Sequence, residues 1–223
     1  MREIFDAYQF VGCHSKFFDR MMTRADLPAR LLLKFFWGLD EQAYQKFLTQ
    51  AFAGIPENFS GRLLEVPVGT GVLSLPVCKN LDGAEIFCVD CSDKMLDAAK
   101  LRAEQMNLRG VKFILGDVGN LPFADNFFDL VLSINGFHVF GDKIAAWSET
   151  RRVLKRGGIF CGCMYIKGEN CRTDFFVKNF CEPNGFFSPP YETFASLKEF
   201  LSNRYSRAEV SHVESFAGFI CVK

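Results

Sequence analysis

An acidic residue followed by a glycine-rich turn is the segment of this chain that is best suited to bind a ligand. Glu65 ends an apolar run, and Gly69 and Gly71 follow it within the segment LLEVPVGTGVLSLP at 63–76. A turn with two glycines lets a ligand approach bare backbone amides at the start of a helix. A carboxylate at this place repels a pyrophosphate and attracts a cation. The loop therefore predicts a nucleoside-type cofactor that carries positive charge, and argues against a dinucleotide.

Polar residues also stand where the other predicted strands end. Asp90 ends the second strand, Asp117 follows the third, and the fourth ends in Ser133, Ile134 and Asn135. Ligands of open parallel sheets bind outside the carboxyl ends of the strands, near the point where strand order reverses. We therefore expect these side chains to surround one ligand.

Each of these positions has a natural partner on a nucleoside. We expect Asp90 to accept hydrogen bonds from the ribose hydroxyls and Asp117 to accept one from an adenine amine, beside the Val118 amide. Met95 and Leu121 would supply apolar faces for the base. Glu65 and the backbone of 69–71 would hold an amino-acid group.

The order of apolar runs and helical patterns predicts an α/β fold. Strand patterns occur at about 62–66, 84–89, 111–115, 128–134 and 158–166, and helical patterns lie between most of them, at about 71–81, 92–106 and 142–155. Such alternation predicts a doubly wound parallel sheet with right-handed crossovers. After a helix near 194–204, two closely joined strands at 208–214 and 217–222 predict a C-terminal antiparallel hairpin. We thus expect a seven-stranded, mostly parallel sheet.

Two segments lie outside this alternation. Residues 1–60 have helical patterns and are interpreted as an N-terminal helical cap before the main domain at 61–223. Residues 167–195, rich in aromatics, proline and glycine, are interpreted as an insertion that covers the C-terminal edge of the sheet. Gly157 and Gly158 are predicted to end the preceding helix and to begin the fifth strand, and Ser92 to cap the helix that follows it.

The composition excludes several classes of protein. The 223 residues carry 26 basic and 26 acidic side chains, so no surface for nucleic acid is indicated. No apolar stretch approaches the length of a membrane span, and the N-terminus has no secretory signal, so we expect a cytoplasmic protein without a membrane partner. Nine cysteines then indicate free, mostly buried thiols. A zinc site from Cys161, Cys163, Cys171 and Cys181 matches no standard ligand spacing, and no metal is predicted.

Four ordered motifs resemble a known family. They are EVPVGTG at 65–71, VDCSDKML at 89–96, GDVGNLPFADNFFDLVLS at 116–133 and RRVLKRGGIF at 151–160. Over roughly 62–162 the chain resembles the class I S-adenosylmethionine-dependent methyltransferases, in particular their small-molecule branch of the ubiquinone/menaquinone-biosynthesis type. Pro67 departs from the pattern because it replaces the first glycine of the loop and removes an amide donor.

The resemblance implies a Rossmann-like fold, S-adenosylmethionine as cofactor and S-adenosylhomocysteine as product. It implies methyl transfer to a small, apolar or aromatic acceptor. The residues expected at the cofactor are Glu65, Val66, Pro67, Gly69, Thr70, Gly71, Asp90, Cys91, Met95, Asp117, Val118, Ser133 and Asn135.

Several points stay open at this level. An oxygen acceptor needs a base, for which His138 is the candidate, although a packed, hydrogen-bonded histidine is as natural there. His14, with Tyr8 and Phe18, is expected to close the pocket from the cap, and it is the second candidate base. An alternative is a catalytically inactive cofactor-binding protein with a regulatory or interaction role. An NAD(P)-dependent oxidoreductase is disfavoured by Glu65 and by Ser74 at the third glycine position. The oligomeric state has no signal in the sequence.

Overall fold

The fold is built on a seven-stranded sheet. The computed structural model describes residues 2–223, with side chains from residue 5 onward. The strands are β1 (Ser60–Glu65), β2 (Gly83–Asp90), β3 (Lys112–Leu115), β4 (Phe128–Ile134), β5 (Leu154–Tyr165), β6 (Arg207–Val213) and β7 (Phe216–Val222). Their order is β3-β2-β1-β4-β5-β7-β6; β1 to β5 run parallel, and β7 is antiparallel to both of its neighbours. The predicted fold class, with its C-terminal hairpin, is confirmed.

Helices flank the sheet and cover the ends of its strands. They are α1 (Arg2–Cys13), α2 (Ser15–Met22), α3 (Leu27–Trp37), α4 (Glu41–Phe52), α5 (Leu75–Cys78), α6 (Asp93–Gln105), α7 (Lys143–Val153), α8 (Cys171–Phe176) and α9 (Phe194–Ser202), and a π-helical turn (Val177–Cys181) follows α8. One apolar core joins the sheet to α7 and α9, and a second joins the other face to α5 and α6. Ser92 caps α6 as predicted, because its side chain accepts a hydrogen bond from the Met95 amide at 3.2 Å.

The N-terminal segment has two structural roles. Helices α1 to α3 lie over the carboxyl end of the sheet, whereas α4 packs on the sheet itself. Gln50 on α4 donates to the Phe216 carbonyl oxygen at 2.8 Å, and Ala51 is fully buried. Just beyond α4, the backbone at Gly54 is so close to Cys161 that an added Cβ would lie 2.3 Å from the Cys161 Cβ. Residues 1–60, predicted to form a single helical cap, therefore include one helix, α4, that packs directly against the sheet.

Two local predictions were wrong. The helix expected at 71–81 is the single turn Leu75–Cys78, because Gly71 adopts a φ of +67° and the chain makes successive turns before the helix begins. Gly157 and Gly158 lie inside β5, which begins at Leu154, directly after α7. The pairing of β4 with β5 is irregular at this point, and the Gly157 amide donates to the Lys223 carbonyl oxygen at 2.7 Å. The glycines thus form a strand irregularity instead of a helix end.

Candidate functional site

A large cavity opens at the carboxyl ends of β1 to β4, where the sequence places the ligand. Its volume is about 1140 Å³. Its floor consists of the turns that follow these four strands, and its walls come from α1 to α3 and from the segment after α8. The predicted residues that line it are Glu65, Val66, Pro67, Gly69, Thr70, Gly71, Asp90, Cys91, Met95, Asp117, Val118, Asn135 and His138.

Two predicted contacts lie outside the cavity wall. Ser133 is fully buried, and its hydroxyl has no hydrogen-bond partner. The hydroxyl lies behind Gly136, where an added Cβ would approach it to 2.7 Å, so the turn after β4 separates Ser133 from the cavity. Leu121 is part of the hydrophobic core and does not line the cavity, so it is not placed to cover the base of a nucleoside. The structure therefore does not place the side chains of these two residues on the cavity wall.

Glu65 is a carboxyl group held in an apolar environment at the end of β1. It is 1% exposed, and burial raises its pKa to about 8, with a smaller contribution from the nearby charge of Asp90. Interactions with the Ser74 hydroxyl and the Cys88 thiol oppose this rise. Among the described residues, no lysine or arginine forms an ion pair with Glu65. The site therefore has an acid without a basic partner, and a cationic ligand would favour its ionised form.

Asp90 organises the glycine-rich turn from the end of β2. Its Oδ2 accepts from the Gly69 amide at 2.8 Å, and its Oδ1 accepts from the Ser92 amide at 2.9 Å. Burial raises its pKa to about 6, while the hydrogen bonds from the Ser92, Gly69 and Cys91 amides oppose the rise. These three amides leave at least one of the four lone pairs of the carboxylate free. Asp90 can therefore accept from a ribose hydroxyl while it holds the turn in place.

The turn itself accommodates proline at the unusual position. The Pro67 ring packs against Gly136, where a Cβ would lie 2.5 Å from the Pro67 Cδ. The neighbouring amides are used: Val66 donates to the Leu132 carbonyl oxygen and Val68 to the Val89 carbonyl oxygen, each at 3.0 Å. Gly69 has a φ of +55°, and a Cβ built there would meet no atom within 4 Å. The turn thus leaves an open cradle above Gly69.

The residues present fit S-adenosylmethionine on these observations. The cofactor is cationic at its sulfonium and ammonium groups, and the cavity offers two buried acids, Glu65 and Asp90, without a basic partner among the described residues. The cradle above Gly69 allows close approach to the backbone. Met95, which is almost fully buried, supplies an apolar surface beside Asp90.

The cap contacts the glycine-rich turn through a side chain that the sequence analysis did not identify. Asp19 on α2 accepts from the Thr70 hydroxyl at 2.6 Å and forms an ion pair with Arg102 on α6. Arg102 also donates to the Thr70 carbonyl oxygen at 3.1 Å. No motif marks Asp19, because its partners lie 51 and 83 residues away along the chain.

His138 lines the cavity in a defined tautomer. Its Nδ1 lies 3.0 Å from the Tyr165 backbone nitrogen, which can only donate, so Nδ1 accepts and the neutral ring carries its proton on Nε2. Burial, with a smaller effect of the Lys143 charge, lowers its pKa to about 3. His138 is therefore a neutral hydrogen-bond donor in this arrangement, which argues against the predicted role as a base.

His14 has the opposite arrangement at the junction of α1 and α2. Its Nδ1 lies 3.0 Å from the Phe10 carbonyl oxygen, which can only accept, so Nδ1 donates and Nε2 keeps its lone pair. His14 lines the cavity, as do Tyr8 and Phe18. The Tyr8 hydroxyl donates to the Phe186 carbonyl oxygen at 3.1 Å, so the cap and the predicted insertion are joined.

The outer part of the cavity is apolar and largely aromatic. Trp37, Phe176 and Phe187 pack together there, with ring centroids 5.6 and 5.7 Å from Trp37. Phe187 also contacts the His138 ring at 4.2 Å between centroids. The residues of these walls belong to the N-terminal cap and to the segment after α8, neither of which contains a recognised sequence motif. The cavity therefore has a polar inner end and an apolar outer end.

The described residues contain neither a metal-binding cluster nor a helix that could span a membrane. Between residues 2 and 223, no group of three or more His, Cys, Asp or Glu side chains is arranged to hold a metal ion. Over the same range, no helix combines the length and the apolar character needed to cross a bilayer. The nine cysteines are unpaired; Cys78, Cys88, Cys161, Cys163, Cys181 and Cys221 are buried.

Comparison with known proteins identifies the class of the domain. Residues 64–162 match the methyltransferase domain family. The chain is 34% identical over 143 residues to a demethylmenaquinone methyltransferase of Thermotoga maritima, which covers 64% of this chain and 57% of the relative. It is 31% identical over 100 residues to a chloroplastic 2-methyl-6-phytyl-1,4-hydroquinone methyltransferase of rice, covering 45% of this chain and 29% of the relative. The chain thus spans less than two thirds of the length of these relatives.

A solved structure has the same fold over the whole chain. It is a SAM-dependent methyltransferase from Thermotoga maritima, described as a possible histamine N-methyltransferase, with a TM-score of 0.70, 20% identity and 99% coverage of both chains. The fold of this chain is thus Rossmann-like, and residues 64–162 match a methyltransferase domain, as the sequence predicted. The methyltransferase names of the relative and of the structural neighbour agree with the predicted class and with S-adenosylmethionine as its cofactor.

Proposed function

We propose that this protein transfers the methyl group of S-adenosylmethionine to an apolar acceptor that carries an aromatic or quinol-type ring. The observation that carries the proposal is the division of one cavity into an acidic inner end at Glu65 and Asp90 and an apolar outer end at Trp37, Phe176 and Phe187. The names of the relatives, which act on demethylmenaquinone and on a phytyl hydroquinone, support a ring of this kind.

The chain's own residues have separate tasks in this proposal. Glu65, Asp90 and the turn around Gly69 would hold the cofactor, which supplies an electrophilic methyl carbon when bound. The aromatic wall would place the acceptor and exclude water, and this contribution is mainly one of proximity. Because Phe187 contacts the His138 ring, an acceptor ring packed on that wall would lie within reach of the His138 Nε2–H donor.

For a hydroxyl acceptor the proton needs a destination. In the proposed step the acceptor oxygen forms a bond to the methyl carbon, the carbon–sulfur bond breaks, and the hydroxyl proton passes to His14 Nε2. His14 suits this role because its Nδ1–H is engaged with the Phe10 carbonyl oxygen and its Nε2 lone pair is available. His138 would donate a hydrogen bond to the acceptor and orient it.

The test is an assay of methyl transfer with a panel of acceptors, read as release of S-adenosylhomocysteine. We expect turnover with alkylated hydroquinones or phenols and little with polar amines of similar size. His14→Gln should lower kcat for a hydroxyl acceptor by about 10²-fold or more with little change in cofactor affinity. His138→Gln, which keeps a donor, should mainly raise KM. Cofactor binding without turnover on any acceptor would contradict the proposal and favour the inactive binding protein.

A further inference from the structure

Helix α3 presents apolar side chains to solvent as well as to the protein interior. Ala29 and Leu33 are buried, whereas Leu27, Leu31 and Phe35 are 67%, 57% and 57% exposed. These three residues are spaced four apart, so they share one face of the helix. Several large apolar side chains exposed together on one helix face are normally part of an interaction site. Among the described residues, no other element buries Leu27 or Leu31.

The segment from α8 to the π-helical turn extends this surface. Phe175 and Phe180 are 70% and 50% exposed. They join Phe35 in lining a shallow cleft of about 290 Å³ between the two elements. Arg172 bridges the elements, since it donates to the Phe35 carbonyl oxygen at 3.2 Å and lies over the Phe35 ring. We define the apolar patch as Leu27, Leu31, Leu32, Phe35, Phe175 and Phe180.

Positive charge accompanies the apolar patch on a chain whose formal net charge is zero. Arg30 and Lys34 are exposed on α3, and Arg172 and Lys178 are exposed on the neighbouring segment. The one acid in these two elements is Asp174, whose carboxylate accepts hydrogen bonds from the protein itself. Four basic side chains therefore surround exposed leucine and phenylalanine. The acids near them are Asp174 and the α3 cap Asp26, which accept hydrogen bonds from the protein itself, and Asp40, which lies near Lys34.

The apolar patch is continuous with the mouth of the cavity. Leu32 and Phe180 are exposed members of the patch that also line the cavity. Phe36 and Phe176, whose rings stack at 4.1 Å between centroids, line both the cavity and the neighbouring cleft. An apolar molecule could therefore pass from the patch to the site without crossing water.

We propose that the apolar patch binds the surface of a lipid bilayer that contains anionic lipids. Leucine and phenylalanine side chains would enter the boundary between headgroups and acyl chains, and the four basic side chains would lie at the lipid phosphates. A second copy of the chain suits the patch less well, because a two-fold interface would oppose the four basic residues to their own copies. The entry of an acceptor by this route rests on the proposed function; the bilayer contact does not.

A bilayer contact of this kind differs from the absence of a membrane partner that the sequence predicts. A membrane span needs about 20 apolar residues in one helix. A surface contact needs only an exposed apolar face with basic residues beside it. Helix α3 has 11 residues, which is too short to span and sufficient to lie in the interface.

Sedimentation with lipid vesicles tests the proposal. We expect the protein to bind vesicles of phosphatidylcholine with about one third phosphatidylglycerol, to bind pure phosphatidylcholine weakly, and to dissociate as salt is raised. Leu31→Gln with Phe35→Gln should lower the partition coefficient about tenfold or more. Lys34→Gln alone should lower it about fivefold. Ile144→Gln on α7 is the matched control, because Ile144 is 85% exposed and lies outside the patch.

Each other outcome would overturn the proposal. The first is that the wild-type protein stays in the supernatant with every vesicle, and the second is that the double variant and Ile144→Gln bind as the wild type does. The third is that light scattering shows a wild-type dimer, the double variant is a monomer, and neither binds vesicles, which would assign the patch to a second copy. Calorimetry with S-adenosylmethionine on the same proteins separates this question from the proposed function, since the double variant should keep the wild-type cofactor affinity.

Discussion

The carboxylate of Asp19 accepts a hydrogen bond from the hydroxyl of Thr70 at 2.6 Å, and this contact joins helix α2 of the cap to the glycine-rich turn after β1. Arg102 completes the connection, because it forms an ion pair with Asp19 and donates to the Thr70 carbonyl oxygen. These bonds therefore tie the cap to the turn, and we expect them to slow the release of a molecule bound in the turn.

The first prediction concerns this contact. Asp19→Asn keeps the shape of the side chain and removes its charge, so the bonds to Thr70 and Arg102 weaken. We expect S-adenosylhomocysteine to dissociate roughly five to thirty times faster, which corresponds to about 1–2 kcal/mol for a hydrogen bond with a charged group. Stopped-flow displacement measures this rate. Asp97→Asn on α6 removes an exposed carboxylate as a control. Equal rates for both variants would show that α2 does not retain the ligand.

The second prediction concerns the pH dependence of stability. Burial raises the pKa of Glu65 to about 8 in the folded protein, above its ordinary value of 4.5. Between these values the folded state holds a proton that the unfolded state has released, so the free energy of unfolding falls as pH rises from about 5 to about 8. Denaturant unfolding without ligand measures this slope. Glu65→Gln should flatten it, and an unchanged slope in that variant would contradict the assignment.

The raised pKa of Glu65 also predicts that a proton is released when the cofactor binds. A cationic ligand favours the ionised form of Glu65, so affinity should rise with pH by up to about tenfold per unit and level off near pH 8. Calorimetry in two buffers of different ionisation enthalpy measures the proton directly. Glu65→Gln should bind more weakly and release less of it. Asp90, whose pKa is about 6, contributes a smaller release at lower pH.

The third prediction concerns the tautomer of His138. The Tyr165 amide donates to Nδ1, and the pKa of His138 is about 3, so the ring should stay neutral with its proton on Nε2 between about pH 5 and pH 8. Nitrogen chemical shifts of the labelled protein measure this, with His138→Ala identifying the signal. A protonated Nδ1, or a titration in this range, would contradict the geometry.

The fourth prediction concerns the packing of Pro67 on Gly136. A Cβ at position 136 would lie 2.5 Å from the Pro67 ring and 2.8 Å from the Phe140 ring. Gly136→Ala should therefore lower stability by about 1–3 kcal/mol, as overpacking does. Pro67→Gly should restore part of this loss when the two changes are combined, since it removes one of three clashes, the third being with the Ser133 hydroxyl at 2.7 Å. Additive effects in the double variant would show that the two residues do not meet.

The sequence predicted those parts of the fold and the site that depend on local pattern. Glu65 and Asp90 follow short β-rich runs, so their place at strand ends could be inferred from the chain alone. Ser133 also stands near a strand end, but its hydroxyl is enclosed behind Gly136, and no one-dimensional pattern records which side of a turn a residue faces.

The parts that escaped prediction depend on contacts between distant segments. Asp19 reaches the turn because three helices pack together, and α4 belongs to the sheet layer because Gln50 meets the Phe216 carbonyl oxygen 166 residues away. The histidine roles depend on single hydrogen bonds to the backbone, which decide the tautomer of each ring. Sequence motifs therefore indicate the candidate cofactor residues, which lie at strand ends, but not the apolar wall of the cavity, which is assembled from the cap and the segment after α8.

Calorimetric titration with S-adenosylmethionine, S-adenosylhomocysteine and NADH decides whether this cavity binds the cofactor. We expect micromolar binding of the two sulfur nucleosides, about 10²-fold or greater weakening of both in Asp90→Ala, and no binding of NADH, because the Asp90 carboxylate, which is ionised at neutral pH, repels a pyrophosphate. A thermal melt of Asp90→Ala confirms that the variant is folded. Failure of the wild-type protein to bind either sulfur nucleoside, or undiminished binding by a folded Asp90→Ala, would contradict the assignment of this cavity to the cofactor.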